Sequence, residues 1–432
     1  MKTILSVALS TAVIFFSCKK DKEADIVLPT VTTIPVSVTT SSEAMAGGEI
    51  SNQGSAAVTA RGVVWGTTAN PTIDLTSKTS DGAGIGFFTS SITGLQPNTA
   101  YHVRAYATSS AGTAYGNDIS FTTDAPVPKV YACGYDRSTG DDHASLWADG
   151  TGSFLASSSL KSYASSIAVS DAGDVYVVGW DFTGGIDNAK IWKNGVATVL
   201  SNSNSRANSV VISGSDVYVA GFIDNGSNYV ATYWKNGTAI GLTDGIRTAT
   251  ASSIFVSGSD VYVAGYENSG SVDVACYWKN GAKVVLPNVT SGGKYSRANS
   301  IFVSGGDDVY VAGYQFNGTI EIAKYWKNGA SIDLGTYSSR ANSIFVSGGD
   351  VYVAGYEKGA AKYWKNGVET SFTATASYSA EAKSIFVSGS DVYVAVTEYG
   401  FPSGEKAKYF KNGVETILST GDRSGAFGIV VK

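Results

Sequence analysis

Val261-Tyr262-Val263-Ala264-Gly265-Tyr266, followed beyond a variable loop by Tyr277-Trp278-Lys279-Asn280-Gly281, is the phrase on which the reading of this chain turns. Its first part alternates β-branched, aromatic and small residues, the pattern of a strand whose successive side chains face opposite ways. Asn280-Gly281 then marks a tight reversal, because both central residues of a type I′ hairpin turn need positive φ. Upstream, Ser253 to Ser257 reads as another strand, joined through Gly258-Ser259-Asp260; downstream, Lys283 to Leu286 reads as a fourth. One unit of sequence is therefore four antiparallel strands.

The phrase occurs seven times. Its first tyrosine falls at Tyr131, Tyr176, Tyr218, Tyr262, Tyr310, Tyr352 and Tyr393, at intervals of 45, 42, 44, 48, 42 and 41 residues. The reversal recurs at Asn194-Gly195, Asn236-Gly237, Asn328-Gly329, Asn366-Gly367 and Asn412-Gly413, with Asp149-Gly150 in the first copy. This period matches the roughly 40 to 50 residues of a four-stranded propeller blade. Every copy but the first is preceded by an inner strand such as Ser343-Ile344-Phe345-Val346-Ser347, whereas Val130 follows almost directly on Pro126-Val127-Pro128. The sequence ends in Ala426 to Lys432, which aligns with an inner strand but is not followed by outer strands. The last strand is therefore expected to complete the first blade and remove the open edges of the array. The fold class that follows is all-β, with a seven-bladed β-propeller over residues 130–432 closed by the C-terminal strand.

Composition agrees. The chain has 432 residues, 43% hydrophobic and 12% aromatic, enough to bury large cores, and its 50 glycines suit short strands and turns. A net charge of -5 provides no basic field to concentrate a polyanion, which excludes nucleic acid as an expected partner.

Met1-Lys2-Thr3 leads into an apolar stretch from Ile4 to Phe16, too short to span a membrane comfortably and typical of an export signal. Phe15-Phe16-Ser17-Cys18 resembles a bacterial lipobox, with Phe15 where Leu is commoner; the resemblance implies a signal over 1–17, lipidation at Cys18 and a tether over 18–29. The polar run after Cys18 resembles lipoproteins of the Bacteroidetes, which implies an exported protein held at the outer membrane by its lipid, with cell-surface exposure as an extension. Leu95-Gln96-Pro97-Asn98-Thr99-Ala100-Tyr101 and the strand that follows resemble a fibronectin type III domain, implying a β-sandwich over 30–124 with a tyrosine corner and a core-facing Trp65. The Pro-rich segment 125–129 reads as a semi-rigid linker. Tyr325-Trp326-Lys327-Asn328-Gly329 through Leu334-Gly335 to Ser343-Ile344 resembles the HAF-type extracellular repeats of bacteria, which imply a fold and an exported location but no chemistry.

Catalytic chemistry is sparse. The two histidines, His102 on a strand and His143 on a loop, have no ligand-like neighbours in sequence, and Cys133 and Cys276 read as buried apolar residues without a disulfide. The repeated Asp174, Asp216, Asp260, Asp308, Asp350 and Asp391 lack the clustered oxygens of a calcium site and read as turn residues bonding their own backbone. The repeated tryptophans read as packing between blades. Neither a cofactor nor a metal is expected.

Features that break the repeat are better candidates. Just ahead of the inner strands stand Tyr163, Arg206, Thr250, Arg297, Arg340, Glu381 and Gly425, and two residues on stand Ser165, Asn208, Ser252, Asn299, Asn342, Lys383 and Phe427. Arg206, Arg297 and Arg340 with Asn208, Asn299 and Asn342, joined by Lys383, would converge at one mouth of the central channel, where guanidinium groups grip acids and amides bond hydroxyls. Bonding of each arginine to its neighbouring blade is the alternative. The variable loops around Phe182 and Phe401 add aromatic surface. A monomeric, non-catalytic protein binding an extracellular glycan or protein is the leading reading. A polysaccharide lyase or hydrolase would need paired carboxylates in the channel, for which Glu381 and Asp142 are a poor pair; a purely structural surface protein is the third class.

Overall fold

The computed structural model describes residues 25–138, 140–155, 161–287, 294–372, 379–400, 404–419, 421 and 423–432. All regular elements among these are β-strands, and the chain divides into two compact units, Met1–Val127 and Pro128–Lys432. Cys18 and Phe401 lie outside the described residues.

In the first unit, Thr30–Thr33, Ser37–Val38 and Gly86–Ile92 all pair with Ala44–Asn52, and Val58–Gly66, Gly112–Tyr115 and Ile119–Thr122 all pair with Ala100–Ser109. Alternation puts Ala44, Ile50, Ile92, Val103 and Ala105 into one core, with Trp65 packed half-buried against it. The backbone N–H of Gln96 donates to the Tyr101 hydroxyl at 3.0 Å, tying the turn to the strand it precedes. His102 is not isolated: its Nδ1 lies 2.9 Å from Asp118 Oδ2.

The second unit contains seven four-stranded antiparallel sheets among the described residues. We number them in order of their Val-Tyr phrase. Sheet 1 takes Val130–Asp136, His143–Ala148 and Thr151–Phe154 from its own copy and its innermost strand, Ser424–Val431, from the end of the chain. The innermost strands of sheets 2 to 7 are Ser162–Val169, Ser205–Ser213, Ala249–Ser257, Ser296–Ser304, Ser339–Ser347 and Ser379–Ser388. These seven strands touch in cyclic order, Ser424–Val431 meeting both its neighbours, so the ring has no gap. Each hairpin turn has the expected conformation; Asn280 and Gly281, for example, have φ of 50° and 83°.

Hydrophobic burial joins each sheet to the next. Tyr262, Ala264 and Leu286 of sheet 4 form one cluster with Ile301, Val311 and Trp326 of sheet 5, and the six repeated tryptophans are among the largest fully buried side chains. Polar bonds repeat across the same seams. The N–H groups of Val210, Ile254, Ile301, Ile344, Ile385 and Ile429 donate to Ser166, Ser209, Ser253, Ser300, Ser343 and Ser384 of the preceding inner strand, at 3.2 to 3.3 Å.

The carboxylates of the repeated aspartates bond across the sheet and not, as expected from sequence, the backbone of their own turn. Each reaches the hairpin of the third and outer strands, as Asp260 does: its Oδ1 accepts from Asn280 Nδ2 at 2.8 Å and its Oδ2 pairs with Lys279 at 2.9 Å. Asn280 Oδ1 then accepts from the Val261 N–H at 2.9 Å, and Lys279 Nζ lies 5.0 Å from the centre of the Tyr262 ring. The clip repeats at Asp174, Asp216, Asp308, Asp350 and Asp391. Bonds from the lysine and asparagine hold these carboxyls below their usual value of 3.8. A depressed folded pKa contributes stability above the unfolded value and loses it as pH falls through the folded one. Thermal unfolding should therefore be insensitive to pH between about 5 and 7 and drop below about pH 4, less steeply when Asp260 and Asp350 are both replaced by Asn. An equal acid slope in that variant would contradict the clip.

Candidate functional site

The inner strands begin earlier than their apolar residues suggest, so Tyr163, Arg206, Thr250, Arg297, Arg340, Glu381 and Gly425 lie within them. Their partners across the sheet are Trp180, Phe222, Tyr266, Tyr314, Tyr356, Thr397 and Tyr135. Six of the seven are aromatic, which makes an aromatic circle at this level of the ring. These residues close the phrase that defines the repeat; their signal was the variation Trp180, Phe222, Tyr266 at an otherwise constant position.

Each of the three arginines reaches into the preceding sheet. Arg206 bonds Asp187 Oδ2 through Nε at 2.7 Å and Nη2 at 2.6 Å, and lies 4.3 Å over Trp180. Arg297 bonds Asp273 Oδ2 at 2.9 and 2.6 Å and lies 4.4 Å over Tyr266. Arg340 grips both oxygens of Glu321, at 2.5 and 2.8 Å, and lies 4.5 Å over Tyr314. Cation and ring alternate as Tyr266, Arg297, Tyr314, Arg340. The bond to Glu321 raises the Arg340 pKa. Burial opposes ionisation of Glu321, but Arg340 and the Tyr295 hydroxyl, which donates at 2.7 Å, outweigh it and hold the carboxyl below its usual range. Burial and that same bond push Tyr295 up to about 12. At the seam of sheets 1 and 2 a phenol replaces the arginine: Tyr163 donates to Asp142, which Arg137 also bonds at 2.7 Å.

Arg297 and Arg340 meet at one cavity of about 490 Å³, lined also by Asn268, Asp273, Tyr295, Tyr314 and Glu321. Arg206 is not among its lining residues, so the three arginines do not share one pocket. The asparagines go elsewhere. Ser165, Asn208, Ser252, Asn299, Asn342, Lys383 and Phe427 each fall at a register shift of their strand, and the bulge turns them toward the ring axis. All seven line an axial cavity of about 200 Å³. There Asn208, Asn299 and Asn342 donate to the carbonyls of Ala251, Ala341 and Ala382 of the next sheet at 2.8 to 2.9 Å, latching seams. Lys383 breaks the series, and its ammonium bonds Glu381. Phe182 is exposed at the end of Val175–Thr183, opposite Asp187.

His143 begins a strand rather than lying on a loop; it is buried, and among the described residues neither ring nitrogen has a hydrogen-bond partner. Cys133 and Cys276 are free and buried. Among the described residues no group of three or more His, Cys, Asp or Glu is arranged to hold a metal ion.

No family model matches the chain, and no curated protein matches it. Two solved structures are similar in part. TolB from Acinetobacter baumannii has 11% identity and a TM-score of 0.37 over 62% of this chain and 75% of that one. A DUF4784 family protein from Bacteroides caccae has 9% identity and a TM-score of 0.27 over 94% of this chain and 100% of that one.

Proposed function

We propose that this chain is a non-catalytic binding lipoprotein, anchored through Cys18 at the outer membrane, whose fibronectin type III-like sandwich carries a seven-bladed β-propeller with a glycan-recognition face. The cavity between Arg297 and Arg340 carries this reading. It sets the aromatic rings of Tyr295 and Tyr314 beside an amide, two carboxylates and two guanidinium groups. The half-buried ring of Tyr295 offers a stacking surface to the C–H face of a sugar, Tyr314 being buried beneath Arg340, and planar polar groups bond its hydroxyls in pairs. A peptide ligand is the second reading, favoured by the exposed Phe182.

Hydrolysis fits less well. A glycosidase needs one carboxyl with a raised pKa as its acid. Glu321 is shifted the opposite way, and so is Asp142, where Tyr163 and Arg137 outweigh burial.

Glycan-array screening of the protein, run beside a turnover assay on the same polysaccharides, tests the reading. Tyr295→Ala should weaken glycan binding about tenfold or more, and Tyr295→Phe should retain most of it, because stacking needs the ring and not the hydroxyl. Arg340→Ala should lower the melting temperature as well as binding, because it leaves Glu321 without its cation. Turnover, or binding indifferent to Tyr295→Ala, contradicts the proposal.

A further inference from the structure

We infer that the seam between sheets 7 and 1 holds a pocket for a primary alkylammonium group, and the pattern of the other sheets shows why. In four of them a lysine of the third strand meets an oxygen acceptor at the end of the second: Lys190 with Asp181, Lys324 with Gln315 Oε1 at 2.6 Å, Lys362 with Glu357 at 2.9 Å, and Lys408 with Glu398. Sheet 4 supplies the cation from its outer strand, Lys283 to Glu267 at 2.7 Å, and sheet 3 has the uncharged Ile223 at the acceptor position. In sheets 5 and 6 the same ammonium also faces the buried indole, with Lys324 Nζ 5.9 Å from the Trp326 ring and Lys362 Nζ 6.0 Å from the Trp364 ring. The fold thus repeatedly seats an ammonium between an oxygen acceptor and a tryptophan.

Sheet 1 keeps the acceptor, Asp136, and the indole, Trp147, but lacks the cation. The residue opposite Gly134, where four of the other sheets carry lysine and sheets 3 and 4 carry Thr232 and Cys276, is Ser145. Asp136 is 7% exposed and accepts from Ser419 Oγ and, at 2.7 Å, from the Ser138 N–H; among the described residues it has no ion pair. His143, its partner across the strands, is not bonded to it. A buried carboxylate without a counter-charge is a costly arrangement that a ligand cation would relieve.

The residue facing the indole differs as well. Opposite the tryptophan, or Phe410 in sheet 7, the other sheets place Ala197, Ala239, Lys283, Ser331, Glu369 and Glu415. Sheet 1 has Gly152, and a Cβ there would sit 2.9 Å from Cδ1 and Nε1 of Trp147. The glycine lets the indole lie directly against the outer strand, and beside it is a cavity of about 520 Å³ with Asp136 and Ser419 on its wall along with Trp147, Phe154, Ile417 and Leu418. The carboxylate and the indole face suit an ammonium, and the apolar wall suits the alkyl chain bearing it. This site is separate from the glycan-binding cavity and does not depend on it.

The test is a titration of the full chain with n-butylammonium chloride, followed by the indole N–H resonance of Trp147, with n-butanol and sodium chloride as controls. The resonance, assigned through Trp147→Phe, should move saturably with the ammonium and stay in place with both controls. Asp136→Asn should weaken the response about tenfold or more. Ser145→Lys should place a lysine where Lys362 lies in sheet 6, raise the melting temperature and abolish the response. A folded Ser145→Lys protein that still responds, or a butanol shift equal to that of butylammonium, overturns the inference. Should Asp136→Asn fail to fold, Ser145→Lys decides alone.

Discussion

Removal of Ala426 to Lys432 is expected to lower the melting temperature of the second unit by at least about 15 °C or to prevent its folding altogether. The segment pairs along Val130–Asp136 from Ala426 opposite Gly134 to Val431 opposite Val130, and Lys129 and Lys432 exchange two further backbone bonds at 2.7 and 3.0 Å. Ala426, Ile429 and Val431 are buried in the cluster that holds Trp147 and Tyr393. Two buried aliphatic side chains contribute about 1.5 to 3 kcal/mol each. Several strand hydrogen bonds add about 0.5 to 1.5 kcal/mol apiece. The sum, on the order of 5 to 10 kcal/mol, equals much of the stability of an ordinary domain. The truncated chain would also present Val130–Asp136 as an open edge, inviting association. Differential scanning calorimetry of the two chains measures the effect, and coincident transitions would show that the last strand is not structural.

Trp326→Ala should cost about 3 to 5 kcal/mol. Its side chain is fully buried among Tyr262, Leu286, Ile301 and Val311, and its Nε1 donates to the Pro287 carbonyl at 3.2 Å. The substitution opens a cavity at a seam that two sheets share, so relaxation of one sheet cannot fill it. Phe410 occupies the corresponding place in sheet 7 with a ring and no N–H, so Trp326→Phe should cost about half as much or less. Urea denaturation of the three chains reads the difference. A melting curve unchanged by the alanine would mean that the repeated tryptophans do not join the sheets.

The strands and the closure could be read from sequence because their signals are local: alternation in Val261 to Tyr266, positive φ demanded by Asn-Gly, and an unpaired phrase at each end of the array. Features that depend on a neighbouring sheet could not. Asp187, Asp273 and Glu321 stand at the start of third strands, 19, 24 and 19 residues before the arginines they bond, and the varying length of the connection between them hides any fixed spacing. The bulge that sends Asn299 to the axis and leaves Arg297 at the seam against Asp273 has no residue of its own in sequence; two positions that strict alternation would put on one face line different cavities. His143 was misplaced because Asp141-Asp142 reads as a loop, whereas those acids close a hairpin and the strand starts at His143 itself.

The axial cavity is lined in part by the last strand and so needs the ring to be closed by the end of the chain, which site-resolved amide hydrogen exchange tests directly. The N–H of Ile429 donates to Ser384 Oγ of sheet 7, and its strand is paired along sheet 1. Ile429 and Val430, the latter bonded to the strand opposite, should therefore exchange as slowly as Ile301 and Phe302 of the inner strand in sheet 5, through global unfolding alone. Exchange of Ile429 and Val430 many times faster than those residues, as at a frayed chain end, would contradict a closed ring.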